Sequence, residues 1–191
     1  AKPQAARPCE NPFRVGRLDA LAFVEHGVAL DTVVASLKQY NFRGAIVGAH
    51  GTGKSTLLHT LGDRLIEQGL SPMPLFMNTE QRGTLPLAWR IAIRRAGEGE
   101  ALLLDGYDHL PRWAKVWVGY KSRFAGAVVV TSHRRCRLRT VAKTQTSPAL
   151  LHALVTQLAG RDYADGADCN ALWHETRGNL RDALRLLYDR G

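Results

Sequence analysis

The octet Gly48-Ala49-His50-Gly51-Thr52-Gly53-Lys54-Ser55 fits the spacing G-x-x-x-x-G-K-[ST]. Each residue type in it suits one job, holding phosphate. The glycines let backbone N–H groups turn inward into a nest around phosphate oxygens. A helix expected to start at Gly53 aims its positive end at the same anion. Lys54 reaches the β- and γ-phosphates as a point charge, Ser55 offers a hydroxyl to Mg2+, and Thr56 lies near the α-phosphate. His50 and Thr52 fill the remaining loop positions and join the nucleotide-binding set.

A second piece of chemistry follows. Ala101-Leu102-Leu103-Leu104-Asp105 is an apolar run that ends on one carboxylate. An Asp at the tip of a buried strand is placed to hold the water shell of Mg2+. Gly106 stands where many ATPases put the glutamate that activates water, so slow turnover is expected. Asp108 is the next carboxylate, and two roles stay open for it. It polarises the attacking water, or it caps a helix expected from Leu110. Val128-Val129-Val130-Thr131-Ser132-His133-Arg134 puts polar groups at the tip of a fourth strand. There Thr131 or Ser132 would read a γ-phosphate or the attacking water, and Arg134 would sense phosphate charge. Arg181, in the first turn of the last helix, opposes the helix dipole and so implies another partner, the nucleotide phosphates.

The elements that must carry these groups alternate. Helices are expected from Asp31 as N-cap through Tyr40, over 53–68, over 85–95, and over 110–124. Between them lie strands at 44–48, 74–77, 101–105 and 127–130, with a fifth at 140–145. Leu110, Trp113, Trp117, Tyr120 and Phe124 fall on one face of their helix. Unbroken apolar strands separated by helices imply a parallel sheet covered on both sides. After Thr146 the pattern becomes helical. Ser147-Pro148 is an N-cap with an N1 proline, a short helix surrounds 171–176, and Asn179 caps the last helix. The division is an extended lead-in over 1–30, a nucleotide-binding core over 31–146 and a helical lid over 147–191. In the lead-in, Phe13 and Arg14 are candidates to lie near an adenine.

Composition sets the outer bounds. The 191 residues are 45% hydrophobic and 23% charged, a globular balance. No apolar run is long enough to span a bilayer, so no membrane partner is expected. Ala1-Lys2-Pro3-Gln4 shows no signal-peptide core. Three cysteines (Cys9, Cys136, Cys169) fit neither a zinc site nor a disulfide framework, which points to a reducing, cytoplasmic setting. The net charge of +9 is concentrated. From His109 to Arg161 there are ten Lys or Arg and no Asp or Glu, while the rest of the chain is near neutral. That stretch suggests an anionic partner, either nucleic acid or an acidic protein.

With these motifs in order, residues 44–189 resemble a small member of the AAA+/STAND superclass of P-loop ATPases. Asp105-Gly106-Tyr107-Asp108 resembles the NACHT-type signature in which a small residue follows the metal Asp. Val130 to Arg134 resembles the sensor-1 strand end, and Gly178-Asn179-Leu180-Arg181 the sensor-2 helix start. The resemblance implies a three-layer α/β P-loop NTPase fold. Its mostly parallel five-stranded sheet would be ordered 5-1-4-3-2, with a small C-terminal helical lid. It also implies ATP and ADP as ligands with Mg2+, and a nucleotide-dependent switch, assembly factor or homo-oligomer. His109 departs from the second acidic residue frequent in NACHT motifs. Two alternatives remain beside the switch: a DNA-associated AAA+-like helper ATPase using the basic 109–161 surface, and a P-loop small-molecule kinase.

Overall fold

The computed structural model describes residues 29–190. The expected lead-in, with Cys9, Phe13 and Arg14, lies outside the described residues apart from its last two positions. Two compact units emerge from the chain. Of the described residues, 29–48 and Lys54–Thr144 form a sheet unit, and Ala49–Gly53 with Gln145 onward form a C-terminal unit.

The sheet unit starts with α1 (Leu30–Gln39), then β1 (Arg43–Val47), α2 (Lys54–Ile66) and β2 (Ser71–Phe76). It continues through α3 (Leu87–Arg95), β3 (Glu100–Asp105), α4 (Arg112–Lys121), β4 (Ala127–Ser132) and β5 (Thr140–Lys143). The five strands are all parallel and lie in the order β2-β3-β4-β1-β5. Read from the other edge, this is the expected 5-1-4-3-2. The α/β class and the order agree with the sequence reading, and the sheet is wholly parallel.

Alternation along each strand sorts side chains to two faces. Ala45, Leu102, Leu104, Val128 and Val130 pack with Trp89 and Ile93 of α3 and Ala114 and Val118 of α4. On the other face Leu103 approaches Gly62 of α2, whose Leu57, Leu61 and Leu65 are fully buried. Each such leucine contributes about 1.5–3 kcal/mol of apolar burial. Right-handed crossovers explain the sides: the β1-to-β2 connection runs opposite to β2-β3-β4 and so carries α2 on the opposite face.

Several boundaries move. β2 begins at Ser71, three residues before the expected start; it is an edge strand, the place where Pro72 and Pro74 are tolerated. β4 extends through Ser132, which buries Thr131 and Ser132. Asp31 does not cap α1. Ala29 is the N-cap, without a side-chain bond, and Asp31 lies inside the first turn. The shared face of Trp113, Tyr120 and Phe124 on α4 and its following turn is solvent-exposed; Leu110, Ala114 and Val118 make the inner face.

In the C-terminal unit, α5 (Pro148–Ala159), α6 (Arg161–Gly166), α7 (Cys169–Glu175) and α8 (Leu180–Arg190) share one core centred on Leu151, Val155, Leu172 and Leu184. The Ser147 hydroxyl accepts the Leu150 amide with Pro148 at the first helical position, as expected. Asn179 caps α8 by accepting the Arg181 and Asp182 amides. α6 was not foreseen. Its six residues, Arg161–Gly166, are too few to show a period. No helix among the described residues is long and apolar enough to cross a membrane.

Candidate functional site

Parallel strands bring their carboxyl ends to one edge. Val47, Ser132 and Asp105 end neighbouring strands there, and the amide of Gly48 donates to the Ser132 carbonyl (3.2 Å). β1 leads away toward β2, whereas β4 leads past β1 to β5. The chain therefore diverges between β1 and β4, which is where open parallel sheets bind ligands.

Asp105 is held in place. Its Oδ1 accepts the Thr131 hydroxyl at 2.5 Å, and the same hydroxyl accepts the Gly106 amide at 2.9 Å. Thr131 is 1% exposed, so both bonds are made away from water. Through these two bonds it fixes the Asp105 carboxylate and the turn that follows. Ser132 donates to the Arg134 carbonyl (2.7 Å) and is likewise buried, while the Arg134 side chain is exposed.

Gly106 sits at φ +82°, and a Cβ there would stand 2.6 Å from the Met77 carbonyl oxygen. That is the physical reason no glutamate occupies this position. The tight turn leads into a 3-10 turn over Tyr107–His109, which presents Asp108. Asp108 is not the cap of α4: Pro111 is, and it makes no side-chain cap bond. Instead Asp108 Oδ2 pairs with His133 Nδ1 at 2.6 Å, and its buried Oδ1 has no hydrogen-bond partner. Burial works against the Asp108 charge, but the hydrogen bond and charge of His133 prevail. Its carboxyl is held below the usual carboxylate range. Lys115 crosses under this turn, its Nζ donating to the Asp108 carbonyl (3.1 Å).

Lys54 opens α2 and is 9% exposed. Burial pulls its ammonium pKa down, and the Asp108 and Asp105 carboxylates push it back up. Ser55 beside it is exposed and Thr56 half-buried. So Lys54, Asp105, Asp108 and Ser132 share one end of the sheet unit. For a divalent cation the unit offers the Asp105 carboxylate, oriented by Thr131, and the Ser55 hydroxyl. This sparse all-oxygen set suits an ion whose remaining ligands are water and phosphate oxygens.

Residues 49–53 of the octet belong to the C-terminal unit. Gly51 (φ +68°) and Gly53 (φ +83°) take backbone conformations open to glycine. The Leu180 amide donates to the Gly51 carbonyl (3.2 Å), and a Cβ on Gly51 would overlap the Asn179 carboxamide. Thr52 donates to the Ala49 carbonyl (2.9 Å). His50 and Arg181 are exposed in this unit.

Sequence reasoning passed over the His133 pairing. An imidazole 25 residues from its carboxylate leaves no local signature. Only the adjacency of two strand tips, implied by the strand order, could have suggested it. The chain matches no protein-family model and no curated protein.

Proposed function

We propose that this protein is an ATP-binding switch of the P-loop type with slow Mg2+-dependent hydrolysis, similar to small AAA+/STAND ATPases. The single observation that carries the reading is the company Lys54 keeps. A nearly buried lysine opens a helix at the carboxyl edge of a parallel sheet, under the influence of Asp105 and Asp108. A lysine so placed offers a nucleotide phosphate a compact point charge. In this reading Ser55 and Asp105 would hold Mg2+, which would supply positive charge to the nucleotide phosphates. The backbone of 48–53 cradles the phosphates, and Thr56 lies near the α-phosphate. Asp108, oriented by His133, accepts the proton of the attacking water. Ser132 shapes the turn that carries His133, Arg134 senses phosphate charge, and Arg181 does the same from the start of α8. The free thiols Cys136 and Cys169 favour a reducing, cytoplasmic setting.

Calorimetric titration of MgATP and MgADP, with Lys54→Ala as blank, tests it. Binding lost in the blank is expected; no binding at millimolar nucleotide overturns it. Steady-state turnover then sorts the classes. Release of phosphate to water supports the switch, and stimulation by duplex DNA would make the protein a helper ATPase. Transfer to a small acceptor would make it a kinase. Sedimentation with and without MgATP tests nucleotide-dependent homo-oligomerisation.

A further inference from the structure

α3 and α4 cover one face of the sheet, and their outer surfaces share an unusual composition. Neither helix contains an Asp or Glu: their sequences are LAWRIAIRR and RWAKVWVGYK. On α3, Leu87 (66% exposed) and Ile91 fall on the same face as Arg94, at i, i+4 and i+7. On α4, Trp113 (61% exposed), Val116 (58% exposed) and Tyr120 fall within one stripe, which Phe124 continues past the helix end. The two helices touch beside these stripes: the Arg94 guanidinium lies 5.8 Å from the centre of the half-buried Trp117 ring. Cations flank the apolar strip on both sides, Arg90 and Arg95 from α3, Arg112 and Arg123 from α4 and its turn. Three of these arginines (Arg90, Arg94 and Arg95) lie outside the acid-free 109–161 stretch, so the fold enlarges the basic surface that the sequence alone displays.

We infer that this two-helix face docks an acidic amphipathic helix of a protein partner. Large apolar side chains exposed together on adjoining helices mark an interaction site. An amphipathic helix laid against this face would meet Leu87, Ile91, Trp113 and Val116 with its own apolar stripe. The arginine flanks require Asp or Glu on the shoulders of the incoming helix. Nucleic acid fits less well. Leu87, Ile91 and Val116 offer a base no flat surface to stack on. The Arg123 guanidinium lies 4.0 and 4.4 Å from the centres of the Tyr120 and Phe124 rings, so a base would compete with it for one face of each. The inference stands apart from nucleotide binding, since every group it uses lies on α3, α4 or the turn after α4.

The probe is a fluorescein-labelled Leu/Glu amphipathic peptide of about four helical turns, read by anisotropy. A scrambled peptide of the same composition and a labelled oligothymidylate run beside it. The amphipathic peptide should bind at least about tenfold more tightly than the scrambled one. Trp113→Ser and Arg94→Glu, both exposed changes that leave the core intact, should each weaken it by about tenfold. Lys143→Glu, an equal charge change on β5, and Lys54→Ala should bind as the parent does. Three results overturn the inference. Equal binding of the scrambled peptide would reduce the surface to charge alone. Oligothymidylate binding lost in Trp113→Ser and Arg94→Glu, with the peptide silent, would make it a nucleic-acid surface. Self-association lost in Trp113→Ser, with the peptide silent, would make the occupant a second copy of this chain.

Discussion

The Thr131 hydroxyl joins Asp105 to its own turn: it donates to Asp105 Oδ1 and accepts the amide of Gly106. One buried oxygen therefore sets both the direction of the carboxylate and the path of the chain toward Asp108.

Thr131→Val keeps the shape and removes that oxygen. It leaves the Gly106 amide and one Asp105 oxygen without their partner, a loss of about 1–3 kcal/mol by denaturant unfolding. On the proposed function, turnover should fall about 10–100-fold through a mis-set metal ligand, and Thr131→Ser should restore most of it. Val and Ser variants of equal activity would remove Thr131 from the site.

His133 holds Asp108 ionised, and this fixes a sign with pH. The Asp108 carboxyl is depressed in the folded protein, so its contribution to stability is present above the unfolded carboxylate pKa of about 4. It is lost as pH falls through the lower folded value. In His133→Asn burial still opposes the charge while the imidazole no longer supports it. The parent should exceed this variant in stability most above about pH 4, with the gap closing in stronger acid. Parallel urea midpoints from neutral pH to about pH 2 check this, and a gap that does not narrow in acid would refute it.

Asp108→Asn should act on Lys54 as well. The Asp108 carboxylate is the foremost group raising the Lys54 pKa against burial. Its removal should move the Lys54 titration further down, which NMR of the lysine side chain reads directly. An unmoved lysine would uncouple the two.

On the proposed function, a glutamate at position 106 should not raise turnover. At Gly106→Glu the backbone conformation costs about 1–2 kcal/mol for a side chain. The Cβ also meets the Met77 carbonyl oxygen. The expected outcome is a lower melting temperature with no gain in turnover, and Gly106→Ala should lose stability similarly. A stable, faster Gly106→Glu protein would contradict the geometry.

Gly51→Ala should loosen the C-terminal unit, because its Cβ overlaps the Asn179 carboxamide at a positive φ. Asn179→Ala, which only removes the α8 cap, should cost about 1 kcal/mol. Amide exchange over α8 should rise in both, more in Gly51→Ala.

The octet and Asp105 were legible because each is written in a short, contiguous pattern, whereas the strand order came only as what the AAA+/STAND resemblance implied. Five apolar runs with glycine punctuation suffice for a parallel sheet. The faces of α4 show the limit. Periodicity put Trp113, Tyr120 and Phe124 together, but it could not say that this side looks outward. Small Ala114 and Val118 make the inner contact because α4 lies close on the sheet. Thr131 and His133 were visible as residue types, yet their partners sit on another strand tip. Asp31 misled because an acidic residue early in a helix serves the first turn as well as the cap.

The chain path through the two units has a consequence for synthesis. Residues 49–53 leave the ribosome about ninety residues before Gln145, where the rest of their unit begins. The Gly51 carbonyl then waits for the Leu180 amide, later still. Translation thus completes the sheet strands first and the glycine-rich segment's contacts last. A chain stalled before α8 would hold the glycine-rich 49–53 segment without the bond from the Leu180 amide to the Gly51 carbonyl. Ordering of residues 49–53 would then mark the synthesis of α8.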